Sequence, residues 1–550
     1  MARTYRPVDR EQEFLLPPSM LDWLPEEHLV WFVIAAVQRL DTTRFHARAR
    51  LGGVGRRGYH PDMLLTLLVY AMAHGESSSR RIERLCHTDV AFRVICAGDA
   101  PDHTVLARFR QHHGQALTDL LTETLVLAVE LGMVSLGVVA FDGTRIAADA
   151  SVDANRTETH LRRLATEFVD TVTANDQAED TLFGEDNRGD QLPEQVRDRS
   201  HRGARIGQAL EEIQQRRQAT ERARQQDAER GRAYEQAMAT GPVPPKGGVP
   251  KSADPVVVAK ARWERRRAAA QARYTRLLAL AKQRRRGAPP PVPPDQLAAV
   301  RKARAAYDAA LAPAEAEAQA QAQPDAQAPA GTAAAATDQP ATSQQDKLTA
   351  NLTDPQSRLL KTRNGWIQGY NCQTTISEDQ FILTARATQD SSDVEQFVPT
   401  LDQLTDTTAR LATRTGTELR VGTMIGDAGY DSDANLQADG PDRLIADAKR
   451  HKLDRRAATD PATGDPPHDA TAREKMTHRL RTPEGQALYK RRAPLVEAPN
   501  AWLKDGRGLR RFSRRGLTAA QAELSFACAV TNLCRLAAKG ITTTTLRQTR

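Results

Sequence analysis

A chain of 550 residues is too long for one hydrophobic core and predicts two or three domains of roughly 100–200 residues each. Its net charge of +8 and pI near 9.3 favour a polyanionic partner, either nucleic acid or an anionic membrane surface. No segment approaches the roughly 18 consecutive apolar residues of a membrane helix, and the opening MARTYRPVDREQEF lacks the apolar stretch of a secretory signal. Cys86, Cys96, Cys372, Cys528 and Cys534 are scattered without a CxxC, so neither a disulfide framework nor a zinc site is expected. A cytoplasmic protein with reduced thiols is the default.

Residues 1–130 read as a helical N-terminal domain. The run from Met63 to Met72 is a buried-helix pattern ended by Gly75, and Ser77 to Ser79 offer caps for a helix over Arg80–Cys86. Pro101-Asp102-His103-Thr104 opens another helix carrying Arg108, Arg110 and His112. Arginines along short helices fit a helix-turn-helix array, and equally a small bundle with a solvated face. Val134–Phe141 is valine-rich and predicts a buried strand, ended by Asp142-Gly143-Thr144.

Residues 155–356 change composition and read as an insertion after that strand. Stretches of Arg, Gln, Glu and Ala favour surface helices with little apolar periodicity, punctuated by GPVPPKGGVP and GAPPPVPP. Ala312–Thr342 is Ala/Gln/Pro low complexity and predicts a disordered tether. Order returns at Gly365. GWIQGYNCQTTIS and FILTARATQ form a hairpin around Glu378-Asp379-Gln380, Asp393 caps a helix to about Leu411, and Val421–Ile425 and Arg443–Ala446 are further strands. Helices from Ala472 and over Ala519–Leu536 follow. The expected catalytic domain, 131–154 with 357–550, is therefore a mixed sheet flanked by helices, an α/β unit in an α+β chain.

Three carboxylates stand out. Asp142 follows an apolar run in VVAFDGT, Asp427 follows another in VGTMIGDAGYD, and Glu497 lies in a strongly cationic stretch. Carboxylates at strand ends are held rigidly at the sheet mouth, where open α/β sheets place their sites. Phosphodiester chemistry on two metal ions about 3.5–4 Å apart needs such a set, and magnesium prefers oxygen ligands. Each residue has a plainer reading: Asp142 as an Asx-turn, Asp427 with Asp431 and Asp433 as a solvated acidic turn, Glu497 as a salt-bridge partner. Asp149 and Asp153 lie too far past the strand to be favoured. A helix starting at Pro494 and kinked at Pro499 would carry Glu497 and, two turns on, Lys504 on one face, stopping at Asp505-Gly506. Arg507, Arg510, Arg511, Arg514 and Arg515 then supply forks suited to phosphate oxygens, or a solvated basic loop.

The chain resembles bacterial insertion-sequence transposases of the DDE class, whose catalytic domain is ribonuclease-H-like. The matching segments are LLTLLVYAMAHGESSSRRIERLC with AGDAPDHTVLARFRQHH, VVAFDGTRIAADAS, GWIQGYNCQTTISEDQFILTARATQ, MIGDAGYDS and RTPEGQALYKRRAPLVEAPNAWLKDGRGLRRFSRRGL. The resemblance implies that Asp142, Asp427 and Glu497 form a metal-binding triad for Mg2+, with Mn2+ able to substitute. It implies that Tyr489, Arg492 and Lys504 contact the transposon end. It further implies double-stranded DNA as partner (terminal inverted repeats and target), a homodimer on DNA, no membrane, and a nucleoid-associated bacterial cytoplasmic protein. A metal-dependent nuclease of the same fold, and a non-catalytic DNA-binding derivative, are the rival expectations.

Overall fold

A computed structural model describes residues 19–47, 58–168, 170, 194–241, 249–283, 292–321, 348–466 and 470–548. The expected absence of a secretory signal, the GPVPPK segment, most of GAPPPVPP and the tether beyond Gln321 fall outside these residues. The chain divides into two compact units, one formed by 1–210 with 348–550 and the other by 211–347.

The first unit is built on a mixed sheet. Strand β1 (Val138–Ala147) pairs antiparallel with β5 (Gly365–Ser377) and parallel with β7 (Thr423–Gly426), which pairs parallel with β8 (Asp442–Ile445). β5 is long enough to hold two partners on its far edge. Gly365–Gly369 pair with β4 (Arg358–Thr362), and Asn371–Ile376 with β6 (Ile382–Thr388). The hairpin, the two later strands and the parallel pairing match the ribonuclease-H-like expectation. A separate pair, β2 (Asn155–Thr157) with β3 (Thr349–Asn351), stands where the chain leaves for the insertion and returns from it.

The first strand differs from the expectation: it does not stop at Asp142. Backbone pairing with β5 continues to Ala147 opposite Gly369, so Asp142 lies inside β1, opposite Thr374. Gly143 is tolerated there because its missing side chain leaves room. A Cβ would stand 2.7 Å from both Asp393 Oδ1 and Gln373 Nε2.

Helices Gly114–Glu130, Phe397–Thr415 and Leu517–Ala538 pack together against the β6 side of the sheet. The N-terminal helices Leu29–Arg39 and Pro61–Ala73 join the same core, in which Val30, Leu65, Leu120, Phe141, Ile376 and Phe526 are all buried. The predicted cap is found at Ser78, accepting from Arg81 N–H, and the helix expected to open at Pro101–Thr104 is capped by Asp102, accepting from Thr104 N–H. Asp393 does not cap: the following turn is 3₁₀, its carboxylate makes no capping bond, and the helix proper is Phe397–Thr415, ended by the left-handed Gly416.

In the second unit, helices Pro255–Gln283 and Ala298–Gln321 pair side by side. Trp263 stacks on Tyr307 with ring centres 5.8 Å apart, and the Arg304 guanidinium lies 4.6 Å over Trp263. The Ala298–Gln321 helix runs through Pro313, so the start of the expected tether is helical.

Candidate active site

Parallel pairing sets the level of the two aspartates. Val138, Val139 and Ala140 of β1 lie opposite Thr423, Met424 and Ile425 of β7. Continuing that register by two residues puts Asp142 level with Asp427, just beyond the end of β7. A Cβ on Gly426 would run into the Phe141 ring, so glycine lets the two strands close up immediately before the aspartates. Phe141 itself is locked between Phe397 and Tyr430, at ring distances of 5.1 and 4.6 Å.

Helix Arg492–Ala501 lies against β1 and β5 and supplies the partners of these aspartates. Arg492 Nη2 donates to Asp142 Oδ1 at 2.6 Å and stands 3.4 Å from Asp427 Oδ2, so one nitrogen joins both carboxylates. Asn500 Nδ2 donates to the other Asp142 oxygen at 2.9 Å. Positions 492, 496 and 500 repeat every four residues and share a helix face, with buried Val496 between the two polar contacts. Asp427 Oδ1 accepts from Gly429 N–H at 2.9 Å and fixes the turn after β7.

Burial pushes the Asp142 carboxyl up to about 6. Arg492 and the Asn500 bond oppose the rise, while Asp427 and Asp393 repel the charge and add to it. Asp393 stands on the Gly143 side of the sheet, accepting from Asn371 and Gln373 at 2.8 and 2.9 Å. Burial likewise raises the Tyr489 hydroxyl and lowers the Lys504 ammonium.

The predicted residues thus separate. Asp142, Asp427 and Arg492 converge, with Tyr489 and Lys504 close enough to feel their charges. Glu497 is exposed on the same helix and makes no hydrogen bond or ion pair among the described residues. The helix starts at Arg492 rather than Pro494, and it continues through Pro499 into a π-helical turn, Trp502–Gly506. Lys504 lies in that turn, half-buried and near Cys372 and Asp142. Asp431 and Asp433 pair with Arg473.

The five arginines are anchored. Arg507 donates to the Ala73 carbonyl, Arg514 to that of Arg110 and Arg511 to that of Ala148, while Arg510 pairs with Asp505 and Arg515 with Asp149. Sequence reasoning missed Asn500 and the approach of Asp393. The four-residue spacing from Arg492 was a usable signal for Asn500; nothing local marks Asp393.

The donor set suits a hard cation. Asp142 and Asp427 offer oxygen only, Asn500 Oδ1 is buried without a partner among the described residues, and a guanidinium already stands between the two carboxylates. The compact ligand-type clusters among the described residues lie elsewhere, at His46–His60–Asp62 and Glu83–Asp102–His103. Both are accounted for by helix capping at His60 and Asp102 and by the hydrogen bonds His46–Asp62 and His103–Glu83.

Two family models match the chain. Residues 18–112 match one described as Transposase domain (DUF772), and residues 462–537 match one described as Transposase DDE domain. No curated protein and no solved structure matches it.

Proposed function

From the premise that this chain is an insertion-sequence transposase of the DDE class, we propose that it cuts its element's ends and joins the freed 3′-hydroxyl to target DNA. The observation that carries this reading is the level placement of Asp142 in β1 and Asp427 just past the end of the adjacent parallel β7, bridged by Arg492. Two divalent ions, magnesium or manganese, held by Asp142, Asp427 and Glu497 would supply the positive charge that activates water and stabilises the leaving oxygen.

The chain's own groups do the rest. Arg492 balances the aspartate pair in the free protein and keeps two like charges side by side. Asn500 fixes the second Asp142 oxygen, so the carboxylate is oriented before DNA arrives. Tyr489, Arg492 and Lys504 contact the transposon end, with Arg510, Arg511, Arg514 and Arg515 continuing the cationic path along the phosphates and Arg507 latching the segment to the Ala73 carbonyl. The N-terminal helices recognise the terminal inverted repeats. Synapsis of two ends calls for a homodimer on DNA.

The test is an assay of purified protein with labelled element ends, a target plasmid and Mg2+ or Mn2+. Joined products are expected. Ends that are cut and never joined would assign a nuclease, and specific binding with no metal-dependent nicking would assign a non-catalytic binder.

A further inference from the structure

Charge is unevenly spread over the inserted unit. Residues 211–240 carry six basic and six acidic side chains, and helix Ala298–Gln321 carries three of each. Helix Pro255–Gln283 carries eight basic residues against Glu264 alone. A merely solvated helix gains from alternating signs at four-residue spacing, and this one has a single such pair, Lys260 and Glu264.

Some of these cations have internal work. Arg265 donates to the carbonyls of Ala237, Met238 and Gly241, and Arg267 pairs with Asp295 at 3.0 Å. Arg262, Arg273 and Arg276 are exposed and have no hydrogen bond or ion pair among the described residues, and Arg266 makes one long contact, 3.5 Å, to the Ala299 carbonyl. At 100° per residue, positions 262, 266, 273 and 276 fall in one stripe. At 1.5 Å rise it is roughly 21 Å long, more than half a turn of duplex DNA.

We propose that this stripe is a second DNA-binding surface, holding the phosphate backbone of duplex DNA without reading its sequence. The choice of DNA among polyanions rests on the transposase reading above. Guanidinium forks match phosphate oxygens, and four in line, three unpaired among the described residues and one weakly held, match a linear polyanion better than a compact anion. A membrane surface fits less well. Leu277 and Leu278 are exposed, but Ala, Gln and Thr fill most of the remaining surface between the arginines, and membrane-bound helices need a continuous apolar face.

The experiment uses the full chain with Arg262, Arg266, Arg273 and Arg276 all changed to Gln, beside a second variant with all four changed to Lys. Each is titrated with salt against a duplex lacking the terminal repeats. The Gln variant should lose about 3–4 units of the log affinity against log salt slope, at about 0.9 per phosphate contact, and the Lys variant should keep it. Equal slopes for wild type and the Gln variant overturn the proposal. So does equal loss in both variants, which would mean a structural role. Binding to phosphatidylglycerol vesicles that depends on the arginines, alongside duplex binding that does not, also overturns it. Metal-dependent cutting of a terminal-repeat oligonucleotide should be unchanged in the Gln variant. If wild type itself fails to cut while the slope difference holds, the catalytic reading falls and this surface stands.

Discussion

The strand-borne aspartates and the helix-borne glutamate are positioned by different physics. Asp142 and Asp427 owe their level to backbone hydrogen bonds, which fix register to the residue. Glu497 sits on a helix whose phase is decided by packing, and one residue of slip turns a side chain by 100°. Leu495, Val496 and Pro499 take the buried positions, Arg492 and Asn500 flank them, and Glu497 is left outward. A carboxylate on a strand is therefore preset by register, whereas one on this helix points where side-chain packing leaves it.

The strongest way to break the contrast is at the strands. Asp427→Ala should lower end cutting by more than about 100-fold, given that even outer partners of metal sites are worth 10–100-fold. Binding of end DNA should survive, because the basic surface is untouched; parallel loss of binding in a mobility-shift assay would contradict this. Asp142→Asn should be equally inactive yet more stable. In the folded state its carboxyl titrates near 6, above the usual 3.8, so the ionised form is disfavoured on folding. That penalty is absent below about pH 4, grows as pH rises toward 6 and is full above it. The variant should thus gain up to about 3 kcal/mol at pH 7 and nothing at pH 4, read from denaturant melts. An equal gain at both pH values would remove burial as the cause.

Glu497→Gln sharpens the comparison from the other side. Under the proposed triad it should cut activity strongly while leaving the melting temperature unchanged, since exposed side chains without partners contribute within about 0.5 kcal/mol. Full activity would move the third carboxylate elsewhere, with Asp393 the nearest alternative.

What could be read in advance follows the same division. The valine-rich and apolar runs gave β1, β7 and β8 to within a few residues, because strand burial leaves a period in the sequence. β1 was placed too early since Asp142-Gly143-Thr144 looks like a turn. Only the tertiary partner of Gly143, the Asp393 carboxylate arriving from 250 residues away, explains why glycine sits in mid-strand. The π turn that carries Lys504 is not visible in residue types. The arginines of 507–515 were legible as charge, but their carbonyl partners were not. Gly143→Ala tests the hidden term: its methyl would meet two polar atoms at 2.7 Å and should cost about 1–3 kcal/mol in a thermal melt. No change in stability would mean that Asp393 and Gln373 yield freely.

The smallest expected effect concerns the anchored arginines and separates holding the fold from holding DNA. Arg511 is exposed, and among the described residues only its Nη1 is engaged, at 3.2 Å from the Ala148 carbonyl. Its remaining N–H groups are available to a phosphate. Arg511→Ala should therefore flatten the salt dependence of end binding by about 0.9 and leave stability nearly unchanged. Arg507 is the contrast. It is half-buried, donates to the Ala73 carbonyl, and its Nε has no partner among the described residues. Arg507→Ala should lower stability and leave the salt slope alone. If the two variants behave alike in both measurements, the basic segment acts as one undivided surface and the distinction between latch and contact is lost.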